Sequence, residues 1–219
     1  MSNTTGTPRC QDHFESSIDS FVDKLSPQAR SLWAKSGDET GHLSLAQHLI
    51  DSACAAAVVF DTWVSNSLKE NLAQNLKLSV EEVRLLYIWL SGLHDLGKST
   101  RFFQGQLDLK PEFRHLLSRV ADAGLPITMS ELEMSRKSMP HSVSSGLVLR
   151  NWLEDKGFSR RQANWVSSTV DAHHGVASGE ERDAINNVLA EYPPEWLAVH
   201  NEIIDAMTET VGVHDVLAS

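Results

Sequence analysis

An all-α fold is what this sequence predicts, on three observations. Apolar residues recur at helical spacing along nearly the whole chain, alternating strand patterns are scarce, and a capping box opens one of the strongest periodic stretches. The first helix is expected over about residues 43–63, from Leu45, Leu49, Ala53, Ala56, Val59 and Phe60, with alanine-rich composition adding propensity. A second starts at Ser79, where Ser79-Val80-Glu81-Glu82 has the form of a capping box and Val83, Leu86, Tyr87 and Leu90 make the expected buried stripe. Pro111 suits the first turn of a helix reaching roughly Val120. Further helices fit residues 141–154, 159–173 and 194–210, and residues 122–140 read as a loop with a short helical turn. No internal repeat or low-complexity stretch interrupts this order.

The 219 residues suffice for one substantial domain or at most two small ones, and 41% hydrophobic with 22% charged residues excludes disorder as the default. The longest apolar run, residues 53–60, is far short of a membrane span, and the polar start carries no secretion signal. Cys10 and Cys54 give neither a disulfide framework nor a cysteine zinc site, so a reducing cytoplasm is the expected location. The net charge of −10 argues against unaided binding of nucleic acid, whose affinity comes largely from phosphate neutralisation. If DNA or RNA is the substrate, metal ions must offset the repulsion or a partner must deliver the strand.

Ten histidines are more than such a core needs, and several fall into a pattern. His94-Asp95 lies at or just past the end of the helix that Ser79 opens. His173-His174 is a second adjacent pair, His48 lies inside the first helix, and His141 opens another. Imidazole nitrogen and carboxylate oxygen are natural ligands of mid-series divalent metals, a carboxylate can bridge two ions, and a two-ion site suits phosphoryl chemistry. Neighbouring ligands on a helix end point about 100° apart, so Gly97 and Gly175, just after the two pairs, are read as loosening the backbone there. Each residue also has a plain reading: a lone helical histidine is usually a surface or satisfied core group. It is the joint order, His, His-Asp, His, His-His, that favours a metal centre. His13, His42, His115, His200 and His214 fall outside that order and read as surface or structural, His42 and His115 being the nearest to exceptions.

That order resembles the HD phosphohydrolase superfamily, and more closely the HD nuclease domain of the CRISPR-associated nuclease-helicase of type I systems. The resemblance is carried by Leu32-Trp33-Ala34-Lys35-Ser36, His48-Leu49-Ile50-Asp51, Leu93-His94-Asp95-Leu96-Gly97-Lys98 continuing to Phe103-Gln104, Pro140-His141-Ser142, and Ala172-His173-His174-Gly175. It implies an HD-type helical bundle with the metal site between helices, over residues 32–219, preceded by an N-terminal extension over residues 1–31. It implies a nuclease cutting single-stranded DNA. One ion would be held by His48, His94 and Asp95, the other by Asp95, His141, His173 and His174, and Lys98 would lie within reach of a substrate phosphate. The ions would be manganese, iron, cobalt, nickel or zinc, with magnesium less natural to an imidazole-rich shell. The implied partners are an RNA-guided surveillance complex that exposes the strand and a helicase domain or subunit that feeds it. The family's last acidic ligand, in an Ala-Asp-Trp-like helix, has no match here, and Asp215 is a poor substitute. Either the chain stops before that ligand or its first ion site is incomplete.

Two other enzymes and one non-enzyme compete with this reading. The same centre would serve a phosphohydrolase of nucleotides or small phosphate esters, and a metal-free HD fold would serve as a docking module. The stretch from Gly92 to Ser99 also matches the phosphate-loop pattern letter for letter. That mechanism needs a strand feeding a glycine-rich loop, whereas here the feeder is periodic like a helix, so the match is read as accidental.

Overall fold

The structure is a computed structural model. It describes residues 10–36, 41–106, 111–127, 139–174 and 179–218, apart from the side chains of residues 10–13, 15, 16 and 111. Among the described residues the regular elements are helices and one short two-stranded ribbon. The order is α1 (Cys10–Lys24), α2 (Pro27–Ser31), β1 (Trp33–Lys35), β2 (Leu43–Ser44), α3 (Leu45–Thr62), α4 (Asn66–Leu76) and α5 (Val80–Gly92). Next come a 3-10 turn (Leu96–Ser99), α6 (Arg101–Gly105), a second 3-10 turn (Pro111–Phe113) and α7 (Arg114–Asp122). The chain closes with α8 (His141–Asp155), α9 (Arg160–Asp171), α10 (Gly179–Ala190), α11 (Pro194–Val211) and α12 (His214–Ala218). The ribbon pairs β1 with β2 antiparallel, Trp33 opposite Ser44.

Packing is set by which faces are apolar. α5 lies against α3, α4 and α11, while α8 lies against α9, α10 and the turn at residues 96–99. Trp89 of α5 and Trp152 of α8 meet at 6.1 Å between ring centroids. The capping box forms as expected: the Ser79 N–H donates to Glu82 Oε2 at 2.6 Å, and the Glu82 N–H donates to Ser79 Oγ at 3.2 Å. The buried stripe, however, is not the expected one. Leu85, Ile88, Trp89 and Gly92 face the core with Val83, while Leu86 and Leu90 are half-buried and Tyr87 is 36% exposed. Both sets have spacing i, i+3, i+4, i+7, so periodicity alone does not choose between them. The neighbouring helices do: Trp89 packs on Trp152 of α8 and its indole N–H donates to the Thr208 hydroxyl of α11 at 2.9 Å, while Tyr87 lies at the surface beside Phe60. In α3 the same correction is smaller. Ala57 joins the buried face and Val59 leaves it.

The first thirty-odd residues, expected as an extension, contain a helix built into the same core. Phe14, Phe21 and Leu25 are all buried, and α1 packs on α11 and α3. The helix expected to reach His173 stops at Asp171. In the stretch from 122 to 140, residues 123–127 are not helical and 128–138 lie outside the described residues. Among the described residues no helix is long and apolar enough to cross a membrane.

Candidate metal centre

Both adjacent pairs hang from helix ends. α5 stops at Gly92, so His94 and Asp95 sit on the turn beyond it, and α9 stops at Asp171, so His173 and His174 do the same. His48 is in the first turns of α3, whose start is fixed by the Ser44 hydroxyl accepting from the Gln47 N–H. His141 is the first residue of α8. Four separate elements thus bring five imidazoles around one buried carboxylate.

The carboxylate is shared between them. Asp95 Oδ2 lies 2.7 Å from His48 Nε2 and 3.2 Å from His94 Nε2, whereas Oδ1 lies 3.1 Å from His141 Nε2 and 3.3 Å from His173 Nε2. His174 closes the second group, its ring centroid 4.4 Å from that of His173 and 5.0 Å from that of His141. His48, His94 and Asp95 form one cluster of candidate ligand atoms, and His141, His173 and His174 another, each within 4.8 Å.

Tautomers can be read from the hydrogen bonds. A carbonyl oxygen only accepts, so His94 Nδ1, 2.8 Å from the Ser91 carbonyl, carries the hydrogen, and so does His173 Nδ1, 2.7 Å from the Val170 carbonyl. In a neutral His173 the Nε2 is then a bare lone pair aimed at Asp95 Oδ1. Two lone pairs at such distances repel unless a proton or a cation lies between them. Burial pushes His173 below its ordinary value, which keeps that ring neutral near pH 7. Burial also pushes the Asp95 carboxyl up, but His141, His48, His94 and Lys98 more than offset this and hold it well below the carboxylate range. Asp95 Oδ1 and His173 Nε2 are both buried without a hydrogen-bond partner. Ligands bonded at about 2.1 Å and 90–110° apart are separated by about 3.0–3.4 Å, which is close to the spacings here. The donor set fits divalent metal ions, and the Nδ1 bonds supply the backing that orients metal-bound imidazoles.

Lys98 is buried rather than held free: its ammonium is 2.8 Å from Asp95 Oδ2 and 5.6 Å from the Phe103 ring centroid. Gly97 also has a different reason from the one expected. Its backbone is not in the left-handed region. A Cβ there would lie 2.0 Å from the His141 carbonyl oxygen, so glycine is required for close approach of the turn to α8. Gly175 lies outside the described residues.

Gln104, fully buried, has a scaffold role that the sequence left unassigned. Its amide donates to the carbonyls of Trp33 at 2.9 Å and Lys98 at 2.7 Å, and its oxygen accepts from the Trp33 N–H at 3.2 Å. It ties β1 to the turn bearing the carboxylate. The sequence signal for it was the Phe103-Gln104 dipeptide at a fixed distance after His94-Asp95.

His42, His115, His200 and His214 join neither cluster, and the His13 side chain lies outside the described residues. His42 accepts from Arg119 at 2.7 Å, and His200 is buried. Asp215 is exposed on α12, and no acidic residue besides Asp95 joins either cluster among the described residues. The phosphate-loop match has a helix, α5, where the nucleotide fold needs a strand, and its lysine rests on Asp95.

Comparison with known proteins agrees with this geometry. The family model described as "Cas3, HD domain" matches residues 33–219. The CRISPR-associated endonuclease/helicase Cas3 of Thermus thermophilus is 32% identical over 185 residues, which are 84% of this chain and 19% of that protein. The CRISPR-associated nuclease/helicase Cas3 of Streptococcus thermophilus is 28% identical over 177 residues, covering 75% of this chain and 18% of the relative. The chain thus spans about a fifth of the length of these curated relatives. Among solved structures, a CRISPR-associated protein superposes with a TM-score of 0.72 at 25% identity, over 95% of this chain and 21% of its own. The Thermus thermophilus Cas3 HD domain in the presence of Ni2+ gives 0.59 at 25% identity, over 88% and 74%. With its helical architecture and its histidines gathered on a His-Asp pair, the chain belongs to the Cas3 HD domain family.

Proposed function

We propose that this chain is the metal-dependent nuclease part of a CRISPR type I nuclease-helicase, cutting single-stranded DNA, within the strand or from its end, in antiviral interference. The observation that carries the reading is the division of the Asp95 carboxylate, one oxygen toward His48 and His94 and the other toward His141 and His173. On this reading His48, His94 and Asp95 hold one ion, and Asp95, His141, His173 and His174 hold the other. Manganese, iron, cobalt, nickel and zinc suit that shell. The Ni2+ of the Thermus thermophilus structure supports a transition metal.

Ions held there would neutralise phosphate oxygens and acidify the attacking water. The chain's own residues do the rest. Asp95 stays ionised, His173 stays neutral with its lone pair available, and Lys98, its ammonium 2.8 Å from Asp95 Oδ2, would lie within reach of a phosphate held at the ions. His174 is the exposed member of its cluster and marks the side open to a strand. With a net charge of −10 the domain needs its substrate delivered, which fits a helicase domain or subunit acting behind an RNA-guided surveillance complex in the cytoplasm. The relatives' names, which join nuclease and helicase, support that partner.

The test is cleavage of a long single strand by protein loaded with Mn2+ or Ni2+. Asp95→Ala is expected to lower the rate by about 10³-fold or more while leaving the helical fold intact. Undiminished cutting by a metal-loaded Asp95→Ala protein would sink the assignment. Faster release of phosphate from nucleotides than nicking of long strands would move the reading to small phosphate esters. Failure of the wild-type protein to bind either metal would leave a docking module.

A further inference from the structure

Asp95 and His141 belong to different histidine clusters and to different elements, so something must hold their spacing. Beside the 3.1 Å contact of Asp95 with His141 itself, the Ser145 side chain bridges the two elements at that place. The Ser145 hydroxyl accepts from the Gly97 N–H at 2.6 Å and donates to the His141 carbonyl at 2.8 Å. A serine bonded back to the carbonyl four residues earlier is by itself a common helix feature. Here the same oxygen also takes a bond from another element, two residues past Asp95. A buried hydroxyl that donates and accepts at once has no rotational freedom left, and Ser145 is fully buried.

The surroundings are shaped to this link. Gly97 lets the turn approach until an added Cβ would be 2.6 Å from the Ser145 nitrogen. α8 has no side-chain cap at its start, since Pro140 occupies that position, so its first turn takes its anchorage from within. The chain Gly97 N–H, Ser145 O–H, His141 C=O therefore runs from the backbone beside one cluster to the backbone of a member of the other.

Resting on the two-ion reading above, we infer that Ser145 is a positioning residue: its hydroxyl sets the separation of the two ion sites while touching neither ion nor substrate. Ser144 is its matched control. It is equally buried on the same helix, and its hydroxyl has no hydrogen-bond partner among the described residues.

The experiment titrates wild type, Ser145→Ala and Ser144→Ala with Mn2+ by calorimetry and records low-temperature electron paramagnetic resonance for magnetic coupling within the pair. Amide exchange at Gly97 is followed in the metal-free proteins, and circular dichroism checks that each is folded. In Ser145→Ala the first Mn2+ is expected to bind as in wild type and the second about tenfold more weakly, in the range of outer-layer substitutions at metal sites. The coupled-pair signal gives way to that of isolated Mn2+, and Gly97 exchanges faster. Ser144→Ala behaves as wild type. A Ser145→Ala protein that keeps both affinities and the coupled spectrum overturns the proposal. So does an equal loss in Ser144→Ala, which would mark a general packing effect. A wild-type protein that binds a single Mn2+ with no coupled signal defeats the two-ion reading itself, and that failure is recognisable because it appears before any substitution.

Discussion

The two helices that end just before the adjacent pairs of candidate ligands, α5 and α9, are built alike and placed differently. Each opens with a capping box, Ser79 with Glu82 and Ser159 with Gln162. Each stops two residues before a histidine, and in each that histidine donates from Nδ1 to the carbonyl three residues back. Beyond the histidine the two arms diverge. After His94 the chain runs into Asp95 and the wholly buried turn of residues 96–99, held by Gln104 and Ser145. After His173 comes His174, which is exposed, and the body of α9 leaves Trp165 62% exposed where α5 buries Trp89 completely. The same presenting device is thus used twice, once anchored in the core and once at the surface. The anchored arm fixes the Asp95 carboxylate that His48, His94, His141 and His173 approach, and the surface arm faces solvent.

The sharpest way to break that comparison is to unseat the anchored arm. Gly97→Ala puts a Cβ 2.0 Å from the His141 carbonyl oxygen, and both neighbours are backbone that cannot rotate away. The turn must shift by an ångström or more. Displacements of that size at a reacting centre cost about 10²-fold in rate. Metal-loaded Gly97→Ala is therefore expected to lose about that much cleavage of single-stranded DNA, with weaker Mn2+ binding measured in parallel. Wild-type activity in this variant would mean that the close approach of turn and helix has no part in the site.

A second difference lies behind the arms. His200 of α11 sits behind the anchored turn, Nε2 3.3 Å from the Ser99 carbonyl, and burial pushes it down to about 4. Because the folded state resists protonation there, the unfolded chain binds the extra proton as pH falls from 6.5 toward 4, and stability falls with it. The full drop across that window is about 3 kcal/mol, at 1.36 kcal/mol for each pH unit of displacement. Urea unfolding of the metal-free protein at several pH values reads the slope. His173 contributes in the same direction, so the His200 share is the difference between wild type and His200→Gln. Equal slopes in the two proteins would remove His200 from the account.

How much of this was legible in the sequence depended on whether the signal was local. The capping box at Ser79, the end of α5 before His94-Asp95 and the all-α class come from short stretches, and all three appear in the structure, whereas α9 was expected to run on to His173 and stops at Asp171. The gathering of His48, His94, Asp95, His141, His173 and His174 was expected from their order and from a family resemblance, and the structure brings them together. What periodicity could not give was direction. Val83, Leu86, Tyr87 and Leu90 satisfy a helical repeat as well as Leu85, Ile88, Trp89 and Gly92, and only the neighbouring helices decide between them. The helix from Cys10 to Lys24 was expected only as part of an extension, because its apolar residues make sense only against α3 and α11. Gly97 was noticed for the wrong property, flexibility, because its reason is a contact with an element 44 positions later in sequence. Ser145 carried no sequence signal, since both of its bonds run to backbone.

The smallest effects sharpen the comparison at the far ends of the two arms. Ser159→Ala removes the cap of α9 and should cost about 1 kcal/mol, measured by urea unfolding. The two boxes differ in one atom type: Gln162 closes the α9 box with an amide, Glu82 closes the α5 box with a carboxylate. Hydrogen bonds from the Ser79 backbone and hydroxyl hold Glu82 below its ordinary value of 4.5. A depressed acid contributes while ionised, so the α5 box is intact above pH 4.5 and is lost as pH falls through the lowered value, whereas the α9 box has nothing to titrate. Amide exchange in the first turns of α5 and α9 should therefore diverge in acid, with only α5 loosening, and Glu82→Gln should abolish the divergence. If both first turns loosen together in that variant, the boxes are not what distinguishes the arms, and the difference between them lies wholly in what their far ends touch.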